Sequence, residues 1–492
     1  MASANRQEMN RRSFLRKSAV AAAGGAALAG PFQGLFALAA DASSSRKNLL
    51  GPLLGKPDLS DGVVRLALPD GYTYRSFGLT GDVMTDGAVT PGAQDGMAAF
   101  LGPQGSIRIV RNHEVRGQGT PMGGSAADIA KAYDGNAVAG TSTLWVDNRS
   151  RELMSHWVSL NGTAVNCAGG ATPWGTWISC EETVNGPDLG PDFTGSHGPD
   201  SFERHGYLFE VDPDWGPGEL APAAPIRNAG RFAHEAVAYH QQSNVLYQTE
   251  DNFEFPSGIY RYLPPDNAMQ ARRLSDGGVL QMLRVVGMPG AELGLVQPAG
   301  ASYDIDWVTV DEPDFDFGDG AGVDNDLGIQ YTGQQGFAQG AAMFARPEGM
   351  WARGGLVYFT ATRGGATQLD GNPFGEYGNG YGQVWVIDPR HDTLTLLFES
   401  PGPDVLDMPD NMTLSERGNV ILCEDGSTDN FIRCLTPDGQ LFDFAQNLIF
   451  GQERQEFAGA CFSPDNQTLF VNIQYANGLT FAIWRQHGGT FL

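Results

Sequence analysis

Acidic, amide and thiol side chains recur at the ends of short β-rich runs in this 492-residue chain. One unit occurs six times: a short apolar run, a turn, a stronger apolar run and then polar residues. The copies are Met97 to Glu114, Ala171 to Glu182, His234 to Asp251, Pro347 to Arg363, Asp410 to Asp425 and Gly459 to Gln474. In an antiparallel hairpin, the start of the first strand and the end of the second lie at the same edge. The sequence therefore predicts that the polar ends of the copies meet at one rim.

The side chains at that rim are of the types that bind metal ions. Crowded carboxylates repel one another and therefore take up protons or bind cations. Oxygen ligands suit Ca²⁺, whereas the thiol of Cys180 beside Glu181 indicates a transition metal such as iron or zinc. Histidine is scarce there, which argues against a zinc site built from three imidazoles. The candidate ligands are Asn112, Glu114, Cys180, Glu181, Glu235, Asp251, Glu348, Asn411 and Glu424.

Each candidate ligand also has a simpler interpretation. A cysteine at the end of an apolar strand is more often part of the core, and a single glutamate at a strand end is usually solvated. The recurrence of acidic or amide residues at equivalent ends of six copies favours a site instead.

Arg346 precedes Glu348 in the run Arg-Pro-Glu-Gly, where the proline restrains the backbone. A guanidinium fork matches the geometry of phosphate, so Arg346 near several cations is a candidate to hold an anionic substrate. The alternative is that it only balances the charge of the carboxylates. Arg346 and Glu348 are the candidate catalytic residues.

The elements that must position these residues are strands. Turn dipeptides such as Asp86-Gly87 and Asp438-Gly439 are dense and few segments have a helical pattern, which indicates an all-β protein. Six units of several strands each predict a six-bladed β-propeller. A wider interval between the third and fourth copies indicates an insertion between blades at about residues 271–340, acidic near residues 311–326. Because the spacing is irregular, a β-sandwich or two β domains stay as alternatives.

Composition limits the partners. Asp and Glu total 57 against 31 Lys and Arg, and the formal net charge is −26. Such a surface repels nucleic acid and anionic lipid, so neither is expected as a partner. No later segment has an apolar run near the roughly 20 residues of a membrane span. Five cysteines without CxxC spacing do not form a disulfide framework, and a monomer is expected because no long apolar interface is evident.

The N-terminus has the pattern of an export signal. Arg11-Arg12 is followed by Phe14 and Leu15 and then by an Ala- and Gly-rich stretch that ends near Ala39. This order predicts a twin-arginine signal over residues 1–39 and one propeller domain over residues 40–492. The twin-arginine translocase is then a partner during export, and the mature protein is periplasmic or secreted.

Several motifs together resemble one family. They are RNHE (Arg111–Glu114), GGATPWGTWISCEE (Gly169–Glu182), GRFAHE (Gly230–Glu235), YQTEDN (Tyr247–Asn252), RPEG (Arg346–Gly349), PDN and LCEDG (within Pro409–Gly426) and GACFSPDNQTLFVNIQ (Gly459–Gln474). From about residue 51 to the C-terminus the chain resembles the PhoX-type secreted alkaline phosphatases. The resemblance implies a six-bladed propeller that hydrolyses small phosphate monoesters and releases phosphate.

The resemblance also implies a site with Fe³⁺ and Ca²⁺ bridged by an oxo group. By matching motif, Cys180 and Glu235 would bind iron, and Arg346 would hold the phosphoryl group. The oxygen ligands of calcium or iron would be Glu114, Glu181, Asp251, Glu348, Asn411 and Glu424.

Two other functions stay open at this point. A calcium-dependent propeller lactonase or esterase also uses carboxylate and amide ligands in a channel, although lactone opening needs neither Cys180 nor Arg346. A non-catalytic propeller that binds a partner would tolerate replacement of the acidic rim.

Overall fold

The computed structural model describes residues 49–195, 201–220, 222–318, 322–369, 375–489 and 491–492. The predicted signal over residues 1–39 and the predicted start of the domain at residue 40 lie outside this part of the chain. The described residues confirm an all-β fold. Among them, no helix has the length and apolar character to cross a membrane.

The strands are β1 (Leu54–Pro57), β2 (Val64–Leu68), β3 (Tyr72–Phe77), β4 (Gln94–Leu101), β5 (Ile107–His113), β6 (Ala139–Val146), β7 (Leu153–Thr163), β8 (Asn166–Ala171), β9 (Trp177–Glu181), β10 (Leu208–Val211), β11 (His234–His240), β12 (Val245–Glu250), β13 (Ile259–Leu263), β14 (Val279–Val285), β15 (Ser302–Thr309), β16 (Pro347–Arg353), β17 (Leu356–Ala361), β18 (Gln383–Asp388), β19 (Thr393–Glu399), β20 (Pro409–Leu414), β21 (Val420–Glu424), β22 (Phe431–Leu435), β23 (Leu441–Asn447), β24 (Phe457–Phe462), β25 (Thr468–Ile473) and β26 (Leu479–Arg485). The helices are α1 (Ala126–Ile129), α2 (Ala268–Ala271) and α3 (Asn325–Phe337), with 3₁₀ turns at Pro103–Gly105 and Arg227–Ala229. β-Branched and aromatic residues fill the buried strands, as in β21 (VILCE) and β25 (TLFVNI).

Four of the sheets are blade-like. Two of them follow chain order, β4 to β7 and β8 to β10, while the others run β24-β25-β26-β3 and β1-β2-β23-β22-β21-β20. The fifth sheet has nine strands in the order β11-β12-β13-β14-β15-β19-β18-β17-β16. Its two terminal strands, β11 and β16, contact each other, so this sheet nearly closes on itself.

The nine-stranded sheet corrects the prediction of six separate blades. β15 pairs with β19 over Ser302–Asp304, and this pairing joins two units that the sequence presents as separate. The predicted insertion contains β14, β15 and α3. The turns and charges of this segment did not reveal β14 and β15, because these strands extend a neighbouring sheet and do not repeat the hairpin unit. The arrangement is propeller-like, with four blades and one larger sheet.

Six inner strands surround a central channel. They are β4, β8, β11, β16, β20 and β24; each contacts the next, and β24 contacts β4. The ring is closed by the N-terminal strand β3, which pairs with the C-terminal strand β26 from Tyr72↔Arg485 to Phe77↔Thr480. One apolar core lies inside the nine-stranded sheet, around rings such as Phe344, Phe359 and Trp385, and others lie between neighbouring sheets.

Every inner strand carries a β-bulge. In β11, His234 pairs with Glu250 and Val237 with Gln248, so two residues lie opposite one. The same shift occurs near the start of the other five inner strands. A bulge bends its strand and re-aims a side chain. The first residues of the six bulges are Asp95, Cys167, Glu235, Glu348, Asp410 and Gly459.

Candidate metal centre

The bulges bring acidic side chains and one thiol together at one end of the channel. Three overlapping groups form there, and within each group the ligand atoms lie within 4.8 Å of one another. The groups are Cys167, Glu182 and Glu235; Glu235, Glu348 and Asp410; and Asp410, Asp425 and Glu456. Because each group shares a member with the next, these residues form one continuous row, which we call the carboxylate row.

Two positions of the repeated hairpin supply most of this row. The first is the bulge, which contributes Cys167, Glu235, Glu348 and Asp410. The second is the residue just after the second strand of the hairpin, since Glu182 follows β9 and Asp425 follows β21. Glu114 and Asp251 occupy the same position after β5 and β12. Glu456 directly precedes β24.

The carboxylate row is electrostatically strained without cations. Burial, and after it the charges of neighbouring carboxylates, raise the pKa of Glu235 well above the ordinary value. The same two causes act on Glu456, and they raise the pKa of Asp425 to about 7. Burial raises the pKa of the Cys167 thiol, and the charges of Glu235 and Glu182 raise it further. The row therefore holds protons unless positive ions replace them.

Arg346 lies beside the row and is held from two directions. Its Nε and Nη2 donate to the Asp251 carboxylate at 3.0 and 2.7 Å, and Nη2 lies 2.9 Å from Glu348 Oε1. Its φ of 49° lies in the left-handed region. Ala93, Val165 and Met408 share this conformation directly before β4, β8 and β20. The strained backbone is thus a repeated way of entering the inner strands and is not specific to arginine.

A second arginine lies at the same end of the channel. Arg116 Nη2 donates to Glu114 Oε1 at 3.0 Å and to Glu182 Oε2 at 3.2 Å. Glu114 Oε2 accepts a hydrogen bond from Gln474 at 3.0 Å. The sequence analysis did not single out Arg116.

The structure brings some of the predicted site residues together. Glu235 and Glu348 belong to the carboxylate row. Asp251 binds Arg346. Glu114 lies near Asp95, the first residue of the β4 bulge, because burial and after it the charge of Glu114 raise the pKa of Asp95. These four residues and Arg346 therefore lie at or beside the row.

Cys180 lies elsewhere. It is fully buried in an apolar cluster with Ile178, Leu208 and Val237. Burial alone raises the pKa of its thiol. Cys167 is the thiol in the row, since it occupies a bulge that turns its side chain toward Glu182 and Glu235.

Glu181 and Glu424 also lie outside the row. Each is the last residue of its strand and pairs with the first residue of an inner strand, which directs its side chain to the loop that follows. Glu181 accepts from the N–H groups of Gly206 and Tyr207 and binds His205. Glu424 accepts from two backbone N–H groups and from Arg433. Both carboxylates thus find their partners in the adjoining loops, and the next residues, Glu182 and Asp425, belong to the row.

The two predicted amide ligands form hydrogen bonds to the backbone of neighbouring inner strands. Asn112 Nδ2 donates to the carbonyls of Cys167 and Ala168, and its Oδ1 accepts from Trp177 and Ser179. Asn411 donates to Asp410 Oδ1 and accepts from the Gly459 N–H. Both amides use their hydrogen-bonding groups to hold the backbone beneath the row.

Sequence reasoning missed part of the row. The missed residues are Cys167, Glu182, Asp410, Asp425 and Glu456. The paired acids in the runs CEE, TED and CED were a usable signal, because the second acid of each pair follows the strand end. The bulges carried no signal that strand periodicity could detect.

The row fits bound cations by its chemistry. Oxygen donors predominate, and a single thiol lies at one end. Asp95 Oδ1, buried beside the row, has no hydrogen-bond partner among the described residues. Hard cations suit the carboxylates and a transition metal suits the thiolate.

Comparison with known proteins identifies the family. The family model of alkaline phosphatase PhoX matches residues 50–477. The solved PhoX of Pseudomonas fluorescens in complex with vanadate, a transition-state analogue, has a TM-score of 0.65 at 20% identity, covering 90% of this chain and 99% of that one. At this identity the likeness shows the fold alone. No curated protein matches the chain significantly.

Other solved structures are more distant. The periplasmic gluconolactonase PpgL of Pseudomonas aeruginosa has a TM-score of 0.37 at 16% identity, covering 89% of this chain and 94% of that one. Virginiamycin B lyase of Staphylococcus aureus has a TM-score of 0.38 at 10% identity, covering 84% and 99%. Such scores carry no argument about function. The family match covers most of the sequence, and the chain therefore belongs to the PhoX family of metal-dependent alkaline phosphatases, which hydrolyse phosphate monoesters.

Proposed function

We propose that the carboxylate row is the metal centre of this phosphatase and that it binds iron at one end and calcium along the rest. Cys167, Glu182 and Glu235 would hold the iron, because this group contains the thiol. The oxygen-only groups around Glu348, Asp410 and Asp425 suit Ca²⁺. The observation that supports the proposal is the grouping of six carboxylates and one thiol, with the ligand atoms of each group within 4.8 Å of one another. The oxo bridge stays a prediction.

The chain's own residues would orient the phosphoryl group. Bound cations would withdraw electron density from its oxygens and neutralise its charge. Arg346 is preorganised for a further contact, since Asp251 and Glu348 fix its guanidinium beside the row. The site is buried, which strengthens each electrostatic contact with the substrate.

We also propose that the enzyme is exported and works as a monomer in the periplasm or outside the cell. The twin-arginine pattern over residues 1–39 supports export. A fusion of residues 1–45 to a reporter that matures only when folded before export tests this proposal. Retention of the reporter in the cytoplasm would contradict it, and replacement of Arg11 and Arg12 by lysine is the matched control.

The test of the proposed function is p-nitrophenyl phosphate hydrolysis at alkaline pH before and after EDTA treatment. We expect EDTA to abolish turnover and added Ca²⁺ to restore it. Metal analysis of the untreated protein should find iron as well as calcium. Full activity in protein shown to be free of metal would contradict the proposal.

A further inference from the structure

Two exposed aromatic rings lie over the two arginines of the site. The guanidinium carbon of Arg116 is 5.5 Å from the centroid of the Phe193 ring, and that of Arg346 is 5.1 Å from the Phe253 ring. Phe193 is 88% exposed and Phe253 is 44% exposed. Each ring thus has one side on an arginine and much of its remaining surface in solvent.

These two contacts differ from the other arginine–ring contacts of the described residues. In those others the rings are buried or half-buried; they belong to Tyr72, Trp145, Trp157, Tyr207, Trp307, Phe431 and Trp484. A single exposed phenylalanine needs no explanation. Here both exposed rings cover arginines that contact acidic residues of the site.

Both pairs lie close to Glu182. Arg116 contacts its carboxylate directly at 3.2 Å. Phe193 belongs to the segment that follows Glu182, and Phe253 comes two residues after Asp251, which binds Arg346. Burial raises the pKa of Glu182 well above its ordinary value, and the charges of Arg116 and Arg346 oppose that rise, as expected for neighbouring cations. Each ring therefore lies on an arginine that is itself next to acidic residues of the site.

We propose that Phe193 and Phe253 form an aromatic clamp that favours phosphate esters whose leaving group carries a planar aromatic ring. The inference rests on the proposed function, because it places the phosphoryl group at the carboxylate row. A flat ring that leaves this row meets the exposed surfaces of the two phenylalanines. Stacked or edge-to-face aromatic contacts exceed the gain from burying the same area of aliphatic surface. The arginines beneath the rings keep them in place.

The clamp is tested by binding, with phosphonates that resist hydrolysis. Calorimetry on the metal-loaded protein compares the Kd of phenylphosphonate with that of cyclohexylphosphonate, which has a similar size but no π-system. We expect about threefold to tenfold tighter binding of the phenyl compound. Phe193→Ala and Phe253→Ala should bring the ratio of the two constants close to one. Phe193→Tyr and Phe253→Tyr should restore it.

Phe450 provides the matched control. It is 97% exposed and lies between β23 and β24, and no described arginine covers its ring. Phe450→Ala should leave the ratio at the wild-type value. A ratio near one in the wild type, or equal ratios in the wild type and both alanine variants, would overturn the clamp.

One further measurement separates failure of the proposed function from failure of the clamp, and another separates nucleotides from aryl esters as the preferred substrates. If the metal-loaded protein binds both phosphonates but does not hydrolyse phenyl phosphate, the proposed function fails while the phosphonate ratio still decides the clamp. The ratio of KM for AMP and for ribose 5-phosphate, which share a leaving alkoxide, identifies the source of the aromatic group. A ratio that changes in the alanine variants identifies nucleotides, and an unchanged ratio identifies aryl esters.

Discussion

At the residue scale, one step along a strand decides whether a buried acid is structural or faces the site. Glu424 ends β21 and accepts hydrogen bonds from Arg433 and from backbone N–H groups. Asp425, the next residue, belongs to the carboxylate row. Burial raises the pKa of both carboxyl groups to about 7, so the two acids differ in their partners and not in their titration. The thiols differ in the same way: both belong to one apolar cluster, but Cys167 also lies within reach of Glu182 and Glu235.

Cys167→Ala should lose the transition metal, because it removes the thiol from the row. We expect loss of bound iron and at least a tenfold loss of turnover. Cys180→Ala is the control and should keep the iron, although its core cavity should lower stability by roughly 1–2 kcal/mol. Metal analysis of the two purified proteins checks both outcomes. Iron retained in the Cys167 variant and lost in the Cys180 variant would reverse the assignment.

Arg346→Ala should weaken the binding of both substrate and free phosphate. It removes a charge-assisted contact, for which we expect a loss of about 2 kcal/mol or more. Arg346→Lys keeps the charge but loses the planar fork, so it should recover only part of the affinity. Inhibition by inorganic phosphate measures the effect. An unchanged inhibition constant in the alanine variant would exclude the proposed contact.

At the element scale, the six bulges require inner strands to approach closely. A Cβ at Gly349, the second residue of the bulge in β16, would lie 2.6 Å from the Asp410 carbonyl oxygen. A Cβ at Gly96, the corresponding residue of β4, would lie 2.4 Å from Ala168 Cα. Both obstacles are backbone atoms, which cannot rotate away. Glycine is therefore needed at these two bulges, whereas the corresponding residues of β8, β11 and β20 are Ala168, Ala236 and Asn411.

Gly349→Ala should damage stability and activity together, because the added methyl group pushes β20 and Asp410 away. We expect a loss of roughly 1–3 kcal/mol in the free energy of unfolding. Gly402→Ala is the control, since no atom lies within 4 Å of its Cβ position and its φ is not positive. Thermal unfolding and turnover of both variants give the comparison. Equal behaviour of the two would contradict the steric argument.

The segment that follows Glu182 contains His205, a buried side chain whose charge depends on pH. Burial opposes the protonation of His205, but Glu181 and Asp134 outweigh it and raise the pKa of His205 to about 9. A raised pKa in the folded state contributes stability below about pH 6.5, which is lost as the pH rises through 9.

His205→Asn should therefore cost more at pH 6 than at pH 9.5. We expect a difference between the two pH values of roughly 1–3 kcal/mol in the effect on unfolding free energy. Thermal unfolding of wild type and variant, both metal-loaded, measures the difference between their unfolding free energies at each pH. If this difference in unfolding free energy were the same at pH 6 and at pH 9.5, His205 would act only as a neutral hydrogen-bonding group.

At the scale of the whole molecule, the site depends on the complete ring. The row takes residues from β8, β11, β16 and β20 and from the segments after β9 and β21. Repulsion among its carboxylates acts to separate these strands. Cations at the row would thus hold the ring together as well as supply chemistry.

Removal of metal should lower the unfolding temperature by several degrees. The reason is that ions bound only by the folded state stabilise it, by about 2.7 kcal/mol at a concentration one hundred times Kd. Calorimetry before and after chelation, with EDTA saturated in advance with Ca²⁺ as the control, measures the shift. An unchanged unfolding temperature in protein confirmed to be metal-free would contradict this role.

Much of the fold and the region of the site could be predicted from the sequence. Repetition of the hairpin placed Glu235, Glu348 and Arg346 at one end of a propeller-like channel. Strand periodicity could not show the bulges, so the predicted ligands Cys180 and Asn411 differ from Cys167 and Asp410, which the bulges bring to the row. The pairing of β15 with β19 was equally hidden, because it joins strands distant in sequence.

The closure between β3 and β26 has a consequence for biosynthesis. Residues 72–77 leave the ribosome long before residues 479–485, with which they pair. Until β26 has been synthesised, β3 lacks its partner strand and the inner strands that supply the ligands are not closed into a ring. We therefore expect the carboxylate row to assemble, and metal to bind, only after β26 has been made.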